Sequence, residues 1–283
     1  VHELPTANLS GNNSICYGST SLLTVELTGA SPWEIIYSDG DTSITKSNIT
    51  NSTYSFSVKP EATTTYYITD VLDANLCKNT GIGTATIEVN PIPVASILSD
   101  STTCLNATLT FHDNSTVVTG NINSRFWNFD ESGATSYDKN PQYTFESTGL
   151  HNISLSVETD KGCTNTTSKS LMVFPNPEVN INFNNGCIIF NTTDTLDAGD
   201  FYSEYLWDDG SINRFRIIDS YGEYSVTVTD TNGCSASGNI KVKQCPGKLW
   251  IPNAFTPNSD GKNDNFKIFG SLEGVSKFKL SIF

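Results

Sequence analysis

The sequence predicts an all-β chain of tandem β-sandwiches, and three observations carry that expectation. Ser, Thr, Asn and Gly crowd the spaces between short runs of Val, Ile, Tyr and Phe, while charged residues make up only 16% of the 283 residues. No segment sustains helical periodicity, and the apolar runs are short and alternate with polar residues, as a half-buried strand requires. One pattern also recurs along the chain, and at this length roughly three domains of sandwich size are expected.

The recurring pattern ends in an alternating strand, a turn and a cysteine: YYITDVLDANLC closes at Cys77, HNISLSVETDKGC at Cys163 and YSVTVTDTNGC at Cys234. Asp73, Asp160 and Asp230 stand just before these cysteines, where a carboxylate next to Asn or Gly makes the turn that ends the strand. Upstream in each copy lies an aromatic strand closed by an Asp and Gly turn: EIIYSDG at 34–40, FWNFDESG at 126–133 and YLWDDG at 205–210. Each copy also has one earlier cysteine. The sequence therefore predicts the pairs Cys16 with Cys77, Cys104 with Cys163 and Cys187 with Cys234, each stabilising its own sandwich by roughly 2 to 4 kcal/mol in an oxidising compartment. Cys245 is the seventh cysteine. It has three fates open: a partner beyond Phe283, a free thiol, or exchange within the third domain. Pro91 and Pro93, then Pro175 and Pro177, break strand pairing and put the boundaries at 1–90, 91–174, 175–245 and a final segment 246–283.

A formal net charge of −14, without a basic stripe, excludes nucleic acid as a partner. No run of 18 apolar residues occurs, so no direct membrane span is expected. VHELPTANLS lacks the basic and apolar regions of a signal peptide, and the chain is expected to begin partway through a longer protein. Catalysis has little raw material. His2, His112 and His151 lie in no HExxH or GxSxG context. Asp208 and Asp209 are adjacent, so on a strand they would face opposite sides, and they read as a turn before Gly210 rather than as an acid and base pair. No catalytic residue is expected, and the chain reads as a non-enzyme.

Residues TFHDNST at 110–116, WNFDESG at 127–133 and NPQYTFESTGLHNISLSV at 140–157 resemble a PKD domain. The core departs from the family's WDFGDG in reading Trp127, Asn128, Phe129, Asp130, Glu131, without the Gly after Phe; Trp127 reads as a core anchor. TTTYYITDV at 63–71 and TLDAGDFYSEYLWDDG at 195–210 resemble the immunoglobulin-like repeats of Bacteroidetes surface adhesins. The resemblance implies an Ig-like domain over 1–90, a PKD-like domain over 91–174 and a second Ig-like domain over 175–245.

The final segment, IPNAFTPNSDGKNDNFKIFG and then FKLSIF, resembles the opening strands of the type B sorting domain of gliding-motility-associated, type 9 secreted proteins, among which SprB-like adhesins are close in style. Ile251, Pro252, Asn253, Phe255, Pro257, Asn258, Asp260, Gly261, Asn263, Asp264 and Phe266 carry the likeness; the family has Gly where Ser259 stands. The resemblance implies a SprA-like translocon, a PorV-like shuttle and a SprF-like outer-membrane protein as partners. It also implies delivery through the periplasm and outer membrane to the cell surface or medium. Only the first strands of that domain are present, so its completion by residues beyond Phe283 or by a partner is expected. From the residues themselves, Asn258, Asp260, Asn263 and Asp264 around Gly261 offer oxygen ligands for calcium, or else an Asx-type turn. No cofactor is required. Asp113, Asn128 and Asp130 form a second oxygen-rich set, and Ser101 and Thr195 sit in motifs resembling the phylum's O-glycosylation sites. The sequence thus reads as the stalk and sorting region of an adhesin, or alternatively as spacer or carbohydrate-binding modules of a secreted hydrolase.

Overall fold

A computed structural model of the chain describes residues 2–130, 133–189 and 191–246, together with residues 249–250, 259, 269–270 and 279. All regular structure among them is β-strand, as the alternation requires. The chain forms two compact units, one of Val1–Ser101, Thr108–Thr144 and Leu150–Leu171, the other of Thr102–Ala107, Phe145–Gly149 and the residues from Met172 onward.

The first repeat has nine strands: β1 (Thr6–Ser10), β2 (Asn13–Cys16), β3 (Ser21–Thr28), β4 (Trp33–Ser38), β5 (Ser43–Ile49), β6 (Thr53–Val58), β7 (Thr64–Leu72), β8 (Lys78–Asn79) and β9 (Thr84–Asn90). One sheet has the order β1-β3-β6 and the other β2-β9-β7-β4-β5, with β8 on β7. Alternation decides burial. In β3, Leu23, Val25 and Leu27 are buried while Leu22 and Glu26 are exposed. Leu23 and Val25 share one core with Ile35, Val71 and Ile87 of the other sheet.

The second repeat comprises β10 (Ile97–Leu98), β11 (Thr102–Cys104), β12 (Thr108–Thr110), β13 (His112–Asp113), β14 (Ile122–Asn128), β15 (Thr135–Ser136), β16 (Gln142–Thr144), β17 (Gly149–Thr159) and β18 (Thr164–Phe174). Its main sheet has the order β11-β18-β17-β14-β15, beside the pairs β12-β16 and β10-β13. Trp127 is fully buried, and its indole N–H donates to the Asp138 carbonyl at 3.0 Å. The Phe111 ring lies 5.9 Å away. Trp127 is thus a core anchor, its one polar atom satisfied.

The third repeat has β19 (Cys187–Ile188), β20 (Asp194–Asp197), β21 (Glu204–Trp207), β22 (Phe215–Ile218), β23 (Gly222–Thr229) and β24 (Ser235–Gln244). They form a sheet β19-β24-β23-β21 and a pair β20-β22 over a core of Leu196, Trp207, Ile218, Val226 and Val228. Beyond it, β25 (Leu249–Trp250) pairs antiparallel with β26 (Phe269–Gly270).

The disulfides correct the expected pairing. Cys16 bonds Cys163, Cys104 bonds Cys234, and Cys187 bonds Cys245, leaving Cys77 as the free thiol. Strand length is the reason. Cys16 is in parallel register with Asn90, the last residue of β9, and β9 meets the start of β7. Cys77 follows the far end of β7, nine residues away, or roughly 30 Å at about 3.3 Å per residue. A disulfide needs Cα atoms within about 7 Å. In the second repeat Cys104 is in register with Phe174 at the end of β18, whereas Cys163 precedes its start; in the third, Cys187 is in register with Lys243 and Cys234 precedes the start of β24. Cys245 continues the β19–β24 ladder by donating its N–H to the Ile188 carbonyl at 2.8 Å, which brings it beside Cys187.

Thiol titration of the unreduced, denatured chain is expected to count one free thiol per molecule. Cys77→Ser is expected to bring the count to zero and Cys245→Ser to raise it to two, by releasing Cys187. The pairing read from spacing requires Cys245→Ser to give zero.

Candidate functional site

The three cysteine turns are built alike, bond for bond. Asp73, Thr159 and Asp230 each donate a backbone N–H to the carbonyl of the cysteine four residues on, Cys77, Cys163 and Cys234, at 3.1, 2.9 and 2.9 Å. Their side-chain oxygens accept the N–H of the same cysteines at 3.0, 3.1 and 2.9 Å. The turns are thus closed from both sides, which fixes the backbone of each cysteine. Thr159, not the expected Asp160, fills this role in the second repeat. Asp160 instead accepts the Asn121 N–H at 3.2 Å. The residue before each cysteine is left-handed: Leu76 at φ 62°, Gly162 at 77° and Gly233 at 83°. Glycine adopts that conformation freely, whereas Leu76 holds it under strain.

The early cysteines also share one setting. Tyr17, just after Cys16, donates to the Asn90 carbonyl, and Leu105, just after Cys104, donates to the Phe174 carbonyl, both at 2.8 Å. The end of one repeat therefore presents a cysteine where the next repeat begins. Around the first junction, Cys163 Sγ lies 4.0 Å from the Asn90 carbonyl, and Asn165 Nδ2 donates to the Pro93 carbonyl at 2.8 Å. An open cleft of 440 Å³ lies alongside, lined by Tyr17, Glu61, Thr63, Asn90, Ile92 and Val118. Glu61 is its one carboxylate among the described residues.

Ion pairs and turn hydrogen bonds account for Asp113, Asp130, Asp208 and Asp209. Asp113 does not join Asn128 and Asp130 around a cation: its Oδ2 meets Arg125 Nε at 2.6 Å, with the Asp113 side chain 1% exposed and that of Arg125 18%. Burial pushes the Asp113 carboxyl up, but hydrogen bonds from Ser115 and Arg125 outweigh burial and hold it below the usual carboxylate range. Asn128 Oδ1 instead accepts the Asp130 N–H at 2.9 Å, and Asp130 Oδ2 accepts the Asn152 N–H at 3.0 Å. Asp130, standing where the PKD motif has Gly, takes φ 63°. Aspartate is among the few residues that adopt that region, and Asp130 is held in it by Asn128 at its N–H and by Asn152 at its carboxylate. Asp208 pairs with Arg216 and accepts the Ser225 N–H at 2.8 Å, while Asp209 accepts the Ser211 N–H at 3.0 Å. Both are turn residues.

Ser101 and Thr195 are exposed. His151 is buried on β17, and His112 lies on β13. Ile251, Pro252, Asn253, Phe255, Pro257, Asn258, Asp260, Gly261, Asn263, Asp264 and Phe266 lie outside the described residues, and with them the candidate calcium loop. What spacing alone missed is the bonding between repeats. The available signal was the brevity of VNPIP and VFPNP, which sets the end of one repeat against the first turns of the next.

Residues 90–174 match the PKD domain family. The middle sandwich is a PKD domain. The pre-pro-metalloprotease PrtV of Vibrio cholerae serotype O1 is 30% identical over 136 residues, covering 44% of this chain and only 15% of the length of that protein. Among solved structures, the PKD1 domain of Vibrio anguillarum Epp is 29% identical and covers 30% of this chain and 98% of its own, with a TM-score of 0.28. The PKD1 domain of the Vibrio cholerae metalloprotease PrtV is 26% identical over 29% of this chain and 98% of its own, with a TM-score of 0.27. A titin fragment, domains I67–I69, is 11% identical, covers 85% of this chain and 98% of its own, and has a TM-score of 0.44. A PKD domain together with three disulfides marks a secreted or surface protein.

Two outcomes check this geometry. Leu76→Gly relieves the one strained turn and is expected to stabilise the first repeat by roughly 0.5 to 1 kcal/mol in urea melts. Arg125→Met strands a buried carboxylate in the PKD domain and is expected to cost about 3 to 5 kcal/mol near neutral pH. Because the Asp113 carboxyl is lowered in the fold, its ionised form stabilises above the ordinary carboxylate range and that contribution is lost as pH falls through the lowered value. The gap between Arg125→Met and the parent protein is therefore expected to shrink when urea melts at about pH 7 are repeated at about pH 3.

Proposed function

We propose that the chain is the C-terminal stalk and secretion-sorting region of a cell-surface adhesin exported by the type 9 secretion system, of the kind used in gliding motility. The observation that carries the stalk reading is the bonding of the first repeat to the second and of the second to the third, Cys16 to Cys163 and Cys104 to Cys234. Covalent continuity along tandem domains serves display and mechanical attachment, and contributes nothing to turnover of a substrate. In this reading the repeats divide near residues 90, 174 and 245, and the chain acts as a display element rather than an enzyme.

The sorting half is supported by the segment from Ile251 to Gly270 and by Ser259, whose φ of 61° lies in the region favoured by the glycine that family carries there. A SprA-like translocon, a PorV-like shuttle and a SprF-like outer-membrane protein are the partners this reading assigns. Calcium at Asn258, Asp260, Asn263 and Asp264 and glycans on Ser101 and Thr195 are further features of it. A second reading, spacer or carbohydrate-binding modules of a secreted hydrolase, is favoured by the PrtV match. Residues N-terminal to Val1 separate the two: more sandwiches belong with an adhesin, a catalytic constellation with a hydrolase.

Fusing residues 246–283 and their natural continuation to a fluorescent reporter carrying an export signal is expected to deliver the reporter to the surface or medium of a type 9-competent host. Retention in the periplasm would sink the sorting reading.

A further inference from the structure

We infer that Cys77 is the open half of one more disulfide between repeats, and that its partner is a cysteine of a β-sandwich repeat of the same kind lying N-terminal to Val1. The inference rests on two independent alignments within the structure, one of Cys77 and one of the residues around His2.

The first alignment is of the cysteine turns. Cys77, Cys163 and Cys234 occupy superposable turns, with the same backbone closure, the same side-chain acceptor four residues before the cysteine and the same left-handed residue directly before it. Two of the three are bonded to the early cysteine of the preceding repeat. Cys77, the third, keeps the turn that places the cysteine backbone and lies partly exposed, and each early cysteine of this chain is already bonded elsewhere.

The second alignment locates the partner. Asn79, two residues after Cys77, donates to the Pro5 carbonyl at 2.9 Å, just as Asn165, two residues after Cys163, donates to the Pro93 carbonyl at 2.8 Å. Pro5 is thus the counterpart of Pro93, and VHELP the counterpart of VNPIP and VFPNP. The residue three before that proline is Asn90 in one junction and Phe174 in the next, and each is the register partner of the bonded early cysteine, Cys16 and Cys104. By the same count it is His2 here. His2 then stands at the end of the last strand of a preceding repeat, and the cysteine that bonds Cys77 stands in parallel register with it, at the end of the strand alongside.

The bond forms by two exchanges. The Cys77 thiolate attacks a dithiol–disulfide oxidoreductase of the oxidising compartment in its disulfide form, giving a mixed disulfide and one oxidoreductase thiolate. The partner cysteine's thiolate then attacks Cys77 Sγ and expels the oxidoreductase's second thiolate. Two protein thiols lose two electrons and two protons, and the oxidoreductase disulfide gains them.

The test uses the native full-length protein, recovered from the cells that export it. Free thiols are blocked with iodoacetamide in denaturant without reduction, and the protein is digested and its linked peptides sequenced by mass spectrometry. The peptide containing Cys77 is expected to be joined to a peptide from N-terminal to Val1, whose cysteine lies in a segment pairing with the strand that ends at His2. Cys77→Ser in the same protein is expected to leave that one partner cysteine alkylated and every other bond in place. Alkylated Cys77 in the parent protein, Cys77 joined to a cysteine within residues 1–283 or in another polypeptide, or no newly alkylated cysteine in Cys77→Ser, would each overturn the inference. The surface-display reading survives an alkylated Cys77, a bond to another polypeptide and an unchanged Cys77→Ser, because it rests on Cys16–Cys163, Cys104–Cys234 and the sorting segment; a bond from Cys77 to one of those four cysteines would count against both.

Discussion

The length of a β-strand governs the covalent architecture of this chain. Each repeat sets its early cysteine beside the end of its last strand and its late cysteine in a turn at the opposite end of the sheet. Roughly 30 Å of extended backbone separates the two, several times the span of a disulfide. No rotamer and no modest loop shift closes that gap. A bond between those two cysteines of one repeat is therefore forbidden by geometry, whereas Cys245, beside Cys187 at the same end of the sheet, can and does bond it. Bonding to the next repeat follows because the connecting segment is short and stiff, and its prolines hold the backbone extended without offering N–H groups to either sheet.

The sequence made the strands legible because their alternation obeys a period that a single chain displays openly. The three cysteine turns were equally visible, since the Asp and Gly chemistry of a turn is local. Two details within them were not. Thr159 replaces the carboxylate in the second turn, and a hydroxyl and a carboxylate oxygen do the same work there by accepting the same N–H. Asp130 occupies a glycine position, which its ability to bond Asn152 makes tolerable. The first exchanges one local acceptor for another, and the second replaces the freedom of glycine by a carboxylate held from the neighbouring strand. The cysteine partners were illegible for a different reason. Two cysteines per repeat at matching places are consistent with pairing inside or between repeats, and sequence separation does not say which end of a sheet each residue occupies. That follows only from register, and register is a property of the paired strands.

The same distinction applies to function. The PKD match accounts for the middle of the chain, and the metalloprotease that shares it is matched over only 15% of its length, so the fold assigns no chemistry. What narrows the reading is the use to which the residues are put. Among the described residues, the carboxylates that the sequence could offer to a metal or a substrate, Asp113, Asp130, Asp208 and Asp209, are held by turn hydrogen bonds and by Arg125 and Arg216. The aromatic residues that a carbohydrate site would expose are divided, with Trp127 and Trp207 buried as anchors. Structure is where the chemistry of these residues is spent.

The two disulfides between repeats close loops of 147 and 130 residues, and the loops overlap. On the chain-entropy account, each stabilises by about 4 to 5 kcal/mol, more than a bond within a single sandwich would. The overlap matters more than the magnitude. Residues 104–163, most of the PKD domain, belong to both loops, so unfolding that domain leaves its ends tied to its neighbours on both sides. The connecting segments at Pro91–Pro93 and Pro175–Pro177 each lie inside a loop, so a single cut in either leaves the repeats covalently joined. A chain built this way keeps its continuity in the places where extended, proline-rich backbone is most open to proteases. It also makes each repeat's stability depend on its neighbour, because removing a repeat removes half of a bond. The two bonds therefore join tandem sandwiches, the first and third with cores of their own, into one covalently linked array.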